Sequence, residues 1–429
     1  MSVVIKPASA FSASQLLDRR SAITVFIAFA AAYFCSALVR SITATLAPVL
    51  TQEFALQARD LGLLGGGYFL GFAAMQLPLG TWLDRFGPKR VIVSFLSLAV
   101  VGCLAFAVAS SFAWLLASRV LIGMGVSACM MAALTGYRRW FDSALLLRAN
   151  SWMLMTGSLG MLASTLPVQW LMPLLGWRPL FWILAALIAL AMVAIVLTVP
   201  RHVPVDVDAP GGVVPAASGY AQIWRSAYFR KMSPLAFFNY GGLVAIQTLW
   251  AGPWMIRVAG YTPFEAATGL FYINAAMLVT FWGWGLLNPM LVRRGWSADR
   301  LVKWGIPLSL LVLAANIAAG PSTGWLGWAL FCVASSVMGL AQPVVGMAFA
   351  PSLAGRALSG YNLVIFSGVF VVQWGLGLLI DLFRAAGLNE VASFQSAFAV
   401  FLVACVGSYL YFLGNASTAA MPGVDNPAS

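Results

Sequence analysis

Gly80-Thr-Trp-Leu-Asp84-Arg85-Phe-Gly87-Pro-Lys89-Arg90 is a short charged turn between two long apolar runs, in a chain with only 8% charged residues. Where two apolar helices reverse at a membrane surface, Lys and Arg in the connecting loop are held on the inner side. Arg85, Lys89 and Arg90 therefore read as topology. Aspartate contributes little to that bias, so Asp84 needs a separate reason; a carboxylate suits the positively polarised start of a neighbouring helix.

The flanking runs are two of many. Hydrophobic residues make up 62% of the chain and the mean hydropathy is +0.91, which excludes a soluble globular domain, where apolar residues are nearer half. Crossing about 30 Å of hydrocarbon takes roughly 20 apolar residues. Twelve such runs occur, at 22–50, 60–83, 91–109, 113–136, 149–173, 178–199, 232–256, 265–291, 304–319, 324–350, 357–382 and 392–414. The expected fold class is thus an all-α polytopic membrane protein with twelve transmembrane helices.

Charge supplies the orientation. With the start placed inside, the inner loops hold 18 Lys and Arg, and the outer loops hold four: Arg59, Arg178, Arg257 and Arg384. That asymmetry places both termini in the cytoplasm and the chain in the cytoplasmic (inner) membrane. It also accounts for the net charge of +12 without a nucleic-acid partner. The first run is too long for a secretory leader, whose apolar core is about 7 to 15 residues. Cys35, Cys103, Cys129, Cys332 and Cys405 all fall inside runs with no Cys-x-x-Cys pair, so neither disulfides nor a zinc site are expected.

The chain also repeats itself. Pro48 and Pro253 are 205 residues apart, as are Gly80 and Gly285. Arg148-Ala-Asn-Ser151 recurs as Arg356-Ala-Leu-Ser359, each followed later by Val-Gln-Trp, at 168–170 and 372–374. Val292-Arg-Arg-Gly-Trp stands where the first half has Gly87-Pro-Lys-Arg, but Pro289 takes the place of Asp84. Asp84 belongs to one half alone.

The turn matches G-x-x-x-D-R-x-G-x-K-R at Gly80, Asp84, Arg85, Gly87, Lys89 and Arg90, and Arg119-Val-Leu-Ile-Gly123-Met-Gly125 matches R-x-x-x-G-x-G. With twelve runs, these motifs make the chain resemble a major facilitator superfamily transporter over residues 20 to 415. The resemblance implies two pseudo-symmetric six-helix bundles that rock about a central site. On this reading the chain divides into a cytoplasmic N-terminal tail (1–21), a first bundle (22–199), a central cytoplasmic loop (200–231), a second bundle (232–414) and a C-terminal tail (415–429). It further implies that Asp84 caps the cytoplasmic start of the eleventh span in the outward-open state and breaks away on inward opening, with Arg148 and Arg356 as partners.

Candidate substrate residues follow from depth and spacing. Arg40 is about 18 residues, or ~27 Å, into the first span, and Arg119 enters the fourth from the outer side by ~10 Å, which puts both in one layer. Two cations without a carboxylate at mid-depth invite an anion, because an unpaired charge there is costly. Tyr33, Ser36, Arg40 and Thr43 share one helical face. The bland alternative is that Arg40 snorkels outward and Arg119 bonds backbone carbonyls at a helix junction. Asn239, Gln247, Trp250 and Trp254 share a face of the seventh span. Gln342 in the tenth, with Asn362 and Gln373 in the eleventh, complete the set. Each amide serves either a cavity or helix-to-helix bonding.

The expected function is therefore secondary transport of a small solute, an organic anion first, by alternating access. Its partners are a small-molecule substrate, the lipid bilayer and a proton or counter-ion, and the chain is expected to act as a monomer. Coupling is thinly signalled. Acids sit in tails, loops or span ends, with Asp84, Glu265 and Asp381 nearest the membrane, and the sole histidine is His202 in the central loop. The resemblance links the counterpart of Arg119 to proton coupling in some members of the family; if transport is proton-driven, an anion could bring the proton itself, or Asp381 or Glu265 could titrate at a cavity mouth. Uniport and anion exchange stay open.

The main alternative is proton-coupled drug or metabolite efflux, but the fifth span, Met155-Thr-Gly157-Ser-Leu-Gly160, lacks the glycine-proline pair of such exporters. A lower-ranked alternative, copper transport, starts from seventeen methionines; thioethers bind Cu(I), yet methionine is also common filler. No metal site, cofactor, nucleotide-binding loop or catalytic constellation is expected, so an enzyme is not.

Overall fold

The computed structural model describes residues 16–200 and 216–415. The tail residues 1–15 and 416–429, and the stretch 201–215 with His202, lie outside the described residues. The first half contains α1 (Arg19–Phe54), α2 (Ala58–Ala74), α3 (Gln76–Ala107), α4 (Phe112–Val126), α5 (Ala128–Trp140), α6 (Ser143–Ala163), α7 (Leu166–Leu175) and α8 (Trp177–Thr198). A short helix, α9 (Ala216–Arg225), leads into the second half. There follow α10 (Ala227–Leu235), α11 (Gly241–Ala245), α12 (Ala251–Arg257), α13 (Pro263–Arg293), α14 (Ala298–Ala319), α15 (Trp325–Ser335), α16 (Ala341–Met347), α17 (Pro351–Ala385) and α18 (Glu390–Gly414). No strand occurs among the described residues.

Local chemistry sets the ends of these helices. Asp18 starts α1 by accepting the Arg20 N–H at 3.1 Å, satisfying a donor that has no partner within the helix. Ala55, at φ 50, ends it. Within α3, Gly87 takes φ 76 and ψ 162, a conformation closed to most side chains, and Pro88 restarts the helix. The charged turn read from the sequence is therefore a true break in the helix. α6 and α7 meet at a bend of 42°, just before Pro167.

Nine helices among the described residues are long and apolar enough to cross a membrane, or ten if the bent α6–α7 pair counts as one crossing. The other two of the twelve expected runs are interrupted. The second pauses at Met75 between α2 and α3. The seventh is cut into five pieces: α10, a π-helical segment Ala236–Tyr240, α11, a second π segment Ile246–Trp250, and α12. A π segment widens the turn and re-aims side chains, a device found at functional sites.

In lipid, helices associate through close packing rather than water exclusion, so small residues decide where backbones touch. Within the first half α3 packs on α4 and α8, and α1 on α6 and α8; in the second, α15 packs on α13 and α14, and α18 on α14 and α17. The halves join along α2 and α17, with α1 against Ile246–Trp250 and α12, and α6 and α7 against α13. Glycine makes the main seam this close. A Cβ on Gly62 would lie 2.3 Å from the Gln373 carbonyl oxygen, and one on Gly377 2.3 Å from that of Ala58.

Candidate substrate site and gates

Arg40 stands half-buried on α1 and hydrogen-bonds the Tyr33 hydroxyl two turns earlier on the same face. Tyr68 of α2 and Tyr240, the last residue of the first π segment, lie within its electrostatic reach. Tyr240 is half-buried and brings the second half to the same place. Its π segment is the feature that carries it there, and the sequence reading missed it. Gly157 of α6 leaves the notch in which Tyr33 stands, because a Cβ there would come within 2.5 Å of the Tyr33 ring.

The other residues expected on that face of α1 are less open. Ser36 and Thr43 are 1% and 3% exposed; the Ser36 carbonyl accepts from the Tyr68 hydroxyl at 3.4 Å. Arg119 is 1% exposed. Its Nη1 donates to the Val39 carbonyl at 3.0 Å, and its guanidinium lies 5.4 Å from the Tyr68 ring centre, within cation–π range. Nε and Nη2 of Arg119, and Nε of Arg40, are buried with no hydrogen-bond partner among the described residues. Neither arginine makes an ion pair among the described residues.

Most of the expected amides bind neighbouring helices. Asn239 donates to Ser408 at 2.8 Å, Gln247 to Asn274 at 3.0 Å, and the Trp250 indole to the Gln373 carbonyl at 3.0 Å. Gln373 in turn donates to Thr248 at 3.0 Å. Gln342 and Asn362, bonded to each other at 2.6 Å, are half-buried. Two grooves of about 540 and 350 Å³ are lined around Trp114 and Leu187 respectively, and Arg40 lines neither. Among the described residues no group of three His, Cys, Asp or Glu is placed to hold a metal.

The two ends of the α2–α17 seam differ. At one, Asp381 reaches across from α17 and accepts both the Ala58 N–H at 3.2 Å and the Arg59 N–H at 2.8 Å, the first amides of α2. Arg384 lies 3.7 Å from the same carboxylate. Glu265, the other acid considered for coupling, stays local and accepts from the N–H and hydroxyl of Thr262 at its own helix start.

At the other end Asp84 is exposed. Desolvation by the surrounding helix ends holds its carboxyl above the ordinary value, against the lowering pull of Arg139 and Arg356. Arg356 was an expected partner and Arg139 was not; Arg148 is exposed. Gly80 faces the Ser359 hydroxyl, Lys89 donates to the Val199 carbonyl at 2.6 Å, and Arg85 lies over the Phe86 ring. Arg90 is exposed. Tyr220 of α9 donates to the Leu77 carbonyl at 3.3 Å, so the helix after the central loop lies over this end.

Known proteins share this helical architecture. The Major Facilitator Superfamily profile matches residues 29–373, and the chain belongs to that family. It is 24% identical over 298 residues to the niacin transporter NiaP of Acinetobacter baylyi, covering 68% of this chain and 63% of that protein. It is 30% identical over 152 residues to the 4-hydroxybenzoate transporter PcaK of Pseudomonas aeruginosa, covering 35% and 34%. The matches thus span less than two thirds of either relative. A solved bacterial homolog of the human lysosomal transporter Spinster, inward-facing and unoccupied, superposes with a TM-score of 0.75 at 18% identity, covering 94% of this chain and 98% of that one.

Proposed function

We propose that this protein is a secondary transporter of a small organic anion, with Arg40 as the anion receptor at a central site between the bundles. One observation carries the reading: Arg40 is half-buried between hydroxyls of both halves and makes no ion pair with an acid among the described residues. A desolvated guanidinium is a strong receptor for a carboxylate, which it can bind through two parallel N–H bonds. Tyr33 and Tyr240 supply hydroxyls from opposite bundles, so a ligand bridging them would tie its own binding to their relative movement. The relatives named for niacin and 4-hydroxybenzoate, both aromatic acids, support the same class.

Alternating access needs two gates. In this reading both termini and the Asp84 end are cytoplasmic, the Asp381 end is external, and the arrangement here is inward-facing. Asp381 then caps α2 across the closed outer seam, while Asp84 is disengaged. The carboxylate at Asp381 is the acid best placed to link gate and proton. Purified protein screened for thermal stabilisation against aromatic and aliphatic acids, cationic drugs and Cu(I) is expected to respond to the acids. Uptake into proteoliposomes with internal pH recorded then separates proton coupling from exchange. Stabilisation by cationic drugs or Cu(I) alone would overturn the proposal.

A further inference from the structure

The sequence places two cations in one layer, which would suit a dianion as well as a monoanion. The structure makes them unequal. Arg119 has Nη1 committed to the Val39 carbonyl and Nε and Nη2 buried, and Tyr68, itself 0% exposed, covers its face. Arg40 is partly open, and Tyr33 beside it is also half-buried. Tyr33 has room for its ring because residue 157 is glycine: a Cβ would meet Cε1 at 2.5 Å, Cζ at 3.0 Å and the hydroxyl at 3.2 Å. Gly160, one turn on, does the same for the backbone of α1, lying against the Phe34 carbonyl.

We infer that the central site accepts a single anionic group, a monocarboxylate: Tyr33, seated against Gly157, orients Arg40 as the reachable one of the two arginines, while Tyr68 walls off Arg119. This rests on the proposed anion transport and sharpens it. The Tyr33 hydroxyl accepts one Arg40 N–H and has its own proton left to donate to the bound carboxylate. A second carboxylate on the same ligand would be desolvated with no cation in reach, which is unfavourable wherever a buried charge lacks its partner. Gly157 acts through Tyr33 and is a positioning residue. Neither it nor the tyrosine wall is marked by the two sequence motifs.

The test uses three probes of one shape and different charge: benzoate, phthalate and benzamide, measured by binding to the purified full chain at neutral pH. Benzoate is expected to bind, phthalate at least about tenfold more weakly, a difference of 1.4 kcal/mol, and benzamide not at all. Arg40→Ala is expected to abolish benzoate binding. Tyr68→Ala, which opens Arg119 to the site, is expected to raise the phthalate-to-benzoate affinity ratio. Gly157→Ala is expected to raise the KM for a transported monocarboxylate several-fold at little changed maximal rate, and to have no further effect in a Tyr33→Ala background. That non-additivity separates a positioning role from general packing damage.

Phthalate binding as tightly as benzoate would overturn the single-anion site and leave anion transport standing. An equal Gly157→Ala effect with and without Tyr33 would remove the positioning role. Benzamide equal to benzoate, or no binding by any probe, would overturn the anion reading and this inference with it.

Discussion

Each end of the α2–α17 seam carries an aspartate, and the two are in opposite situations. Asp381 accepts two backbone amides from the other half of the molecule; Asp84 is exposed, with arginines near it. The chemistry available to both is the same, a carboxylate near the start of a helix. On the proposed reading, what differs is whether a helix start has been brought within reach, and such a gate would need only one acid and one helix end.

The largest expected effect comes from wedging the engaged end. Gly62→Val puts side-chain atoms where a Cβ alone would meet the Gln373 carbonyl oxygen at 2.3 Å, and overpacking of this kind costs about 1–3 kcal/mol. A lowered unfolding temperature, with faster maleimide labelling of Thr248→Cys, now 1% exposed, would show the seam forced apart. Unchanged labelling would mean that glycine does not hold this end closed.

Asp381→Ala removes the cap and leaves the packing intact. Loss of a capping side chain costs about 0.5–2 kcal/mol, so labelling of the same cysteine should rise by less than in Gly62→Val. Asp84→Asn sharpens the contrast. With the side chain exposed, its stability effect should stay within about 0.5 kcal/mol, yet transport should be lost while expression and insertion are kept, because its bonds belong to the opposite state. If Asp84→Asn matched Asp381→Ala in stability and transported like wild type, the two ends could not be the same device in two states.

The smallest expected effect is one of pH. Although Asp84 is exposed, the protein around it partly desolvates its carboxyl and holds it above the ordinary value in this arrangement, against the lowering pull of Arg139 and Arg356. A state in which that carboxylate is capped would hold the value lower. The state with the higher value takes up the proton more readily, so acidification should favour the arrangement seen here. Labelling of Thr248→Cys should then slow modestly on acidification, and Asp84→Asn should lessen that response. A response that survives intact in Asp84→Asn would assign the titration elsewhere.

Several elements were legible early because they depend on short-range pattern. The break at Gly87 follows from a glycine-proline pair among charges, and the helical class follows from runs of apolar residues. The family follows from two motifs. The amides of the seventh span were legible as a stripe but not as to role: the face carrying Asn239, Gln247 and Trp250 turns toward neighbouring helices, whose bonds at Ser408, Asn274 and Gln373 no spacing rule reveals. The π segments re-aim that span, so a face computed at 3.6 residues per turn drifts off target. Glycines at 62, 65 and 66 were visible as small residues; that they serve the seam with α17 required knowing what stands opposite.

Composition and loop charge by themselves determined that this is a helical membrane protein, since hydrocarbon admits few ways of satisfying a backbone. The repeats and motifs determined its family. Tertiary structure alone decided that Arg119 is sealed and Arg40 open, that Tyr240 reaches Arg40 from the other half, and that Asp381 caps α2. The physical reason is separation along the chain: the Asp381 bond to Ala58 spans 323 residues and the Arg119 bond to Val39 spans 80. Local pattern carries no information about pairs that meet only when helices distant along the chain pack together, within one half or between the two.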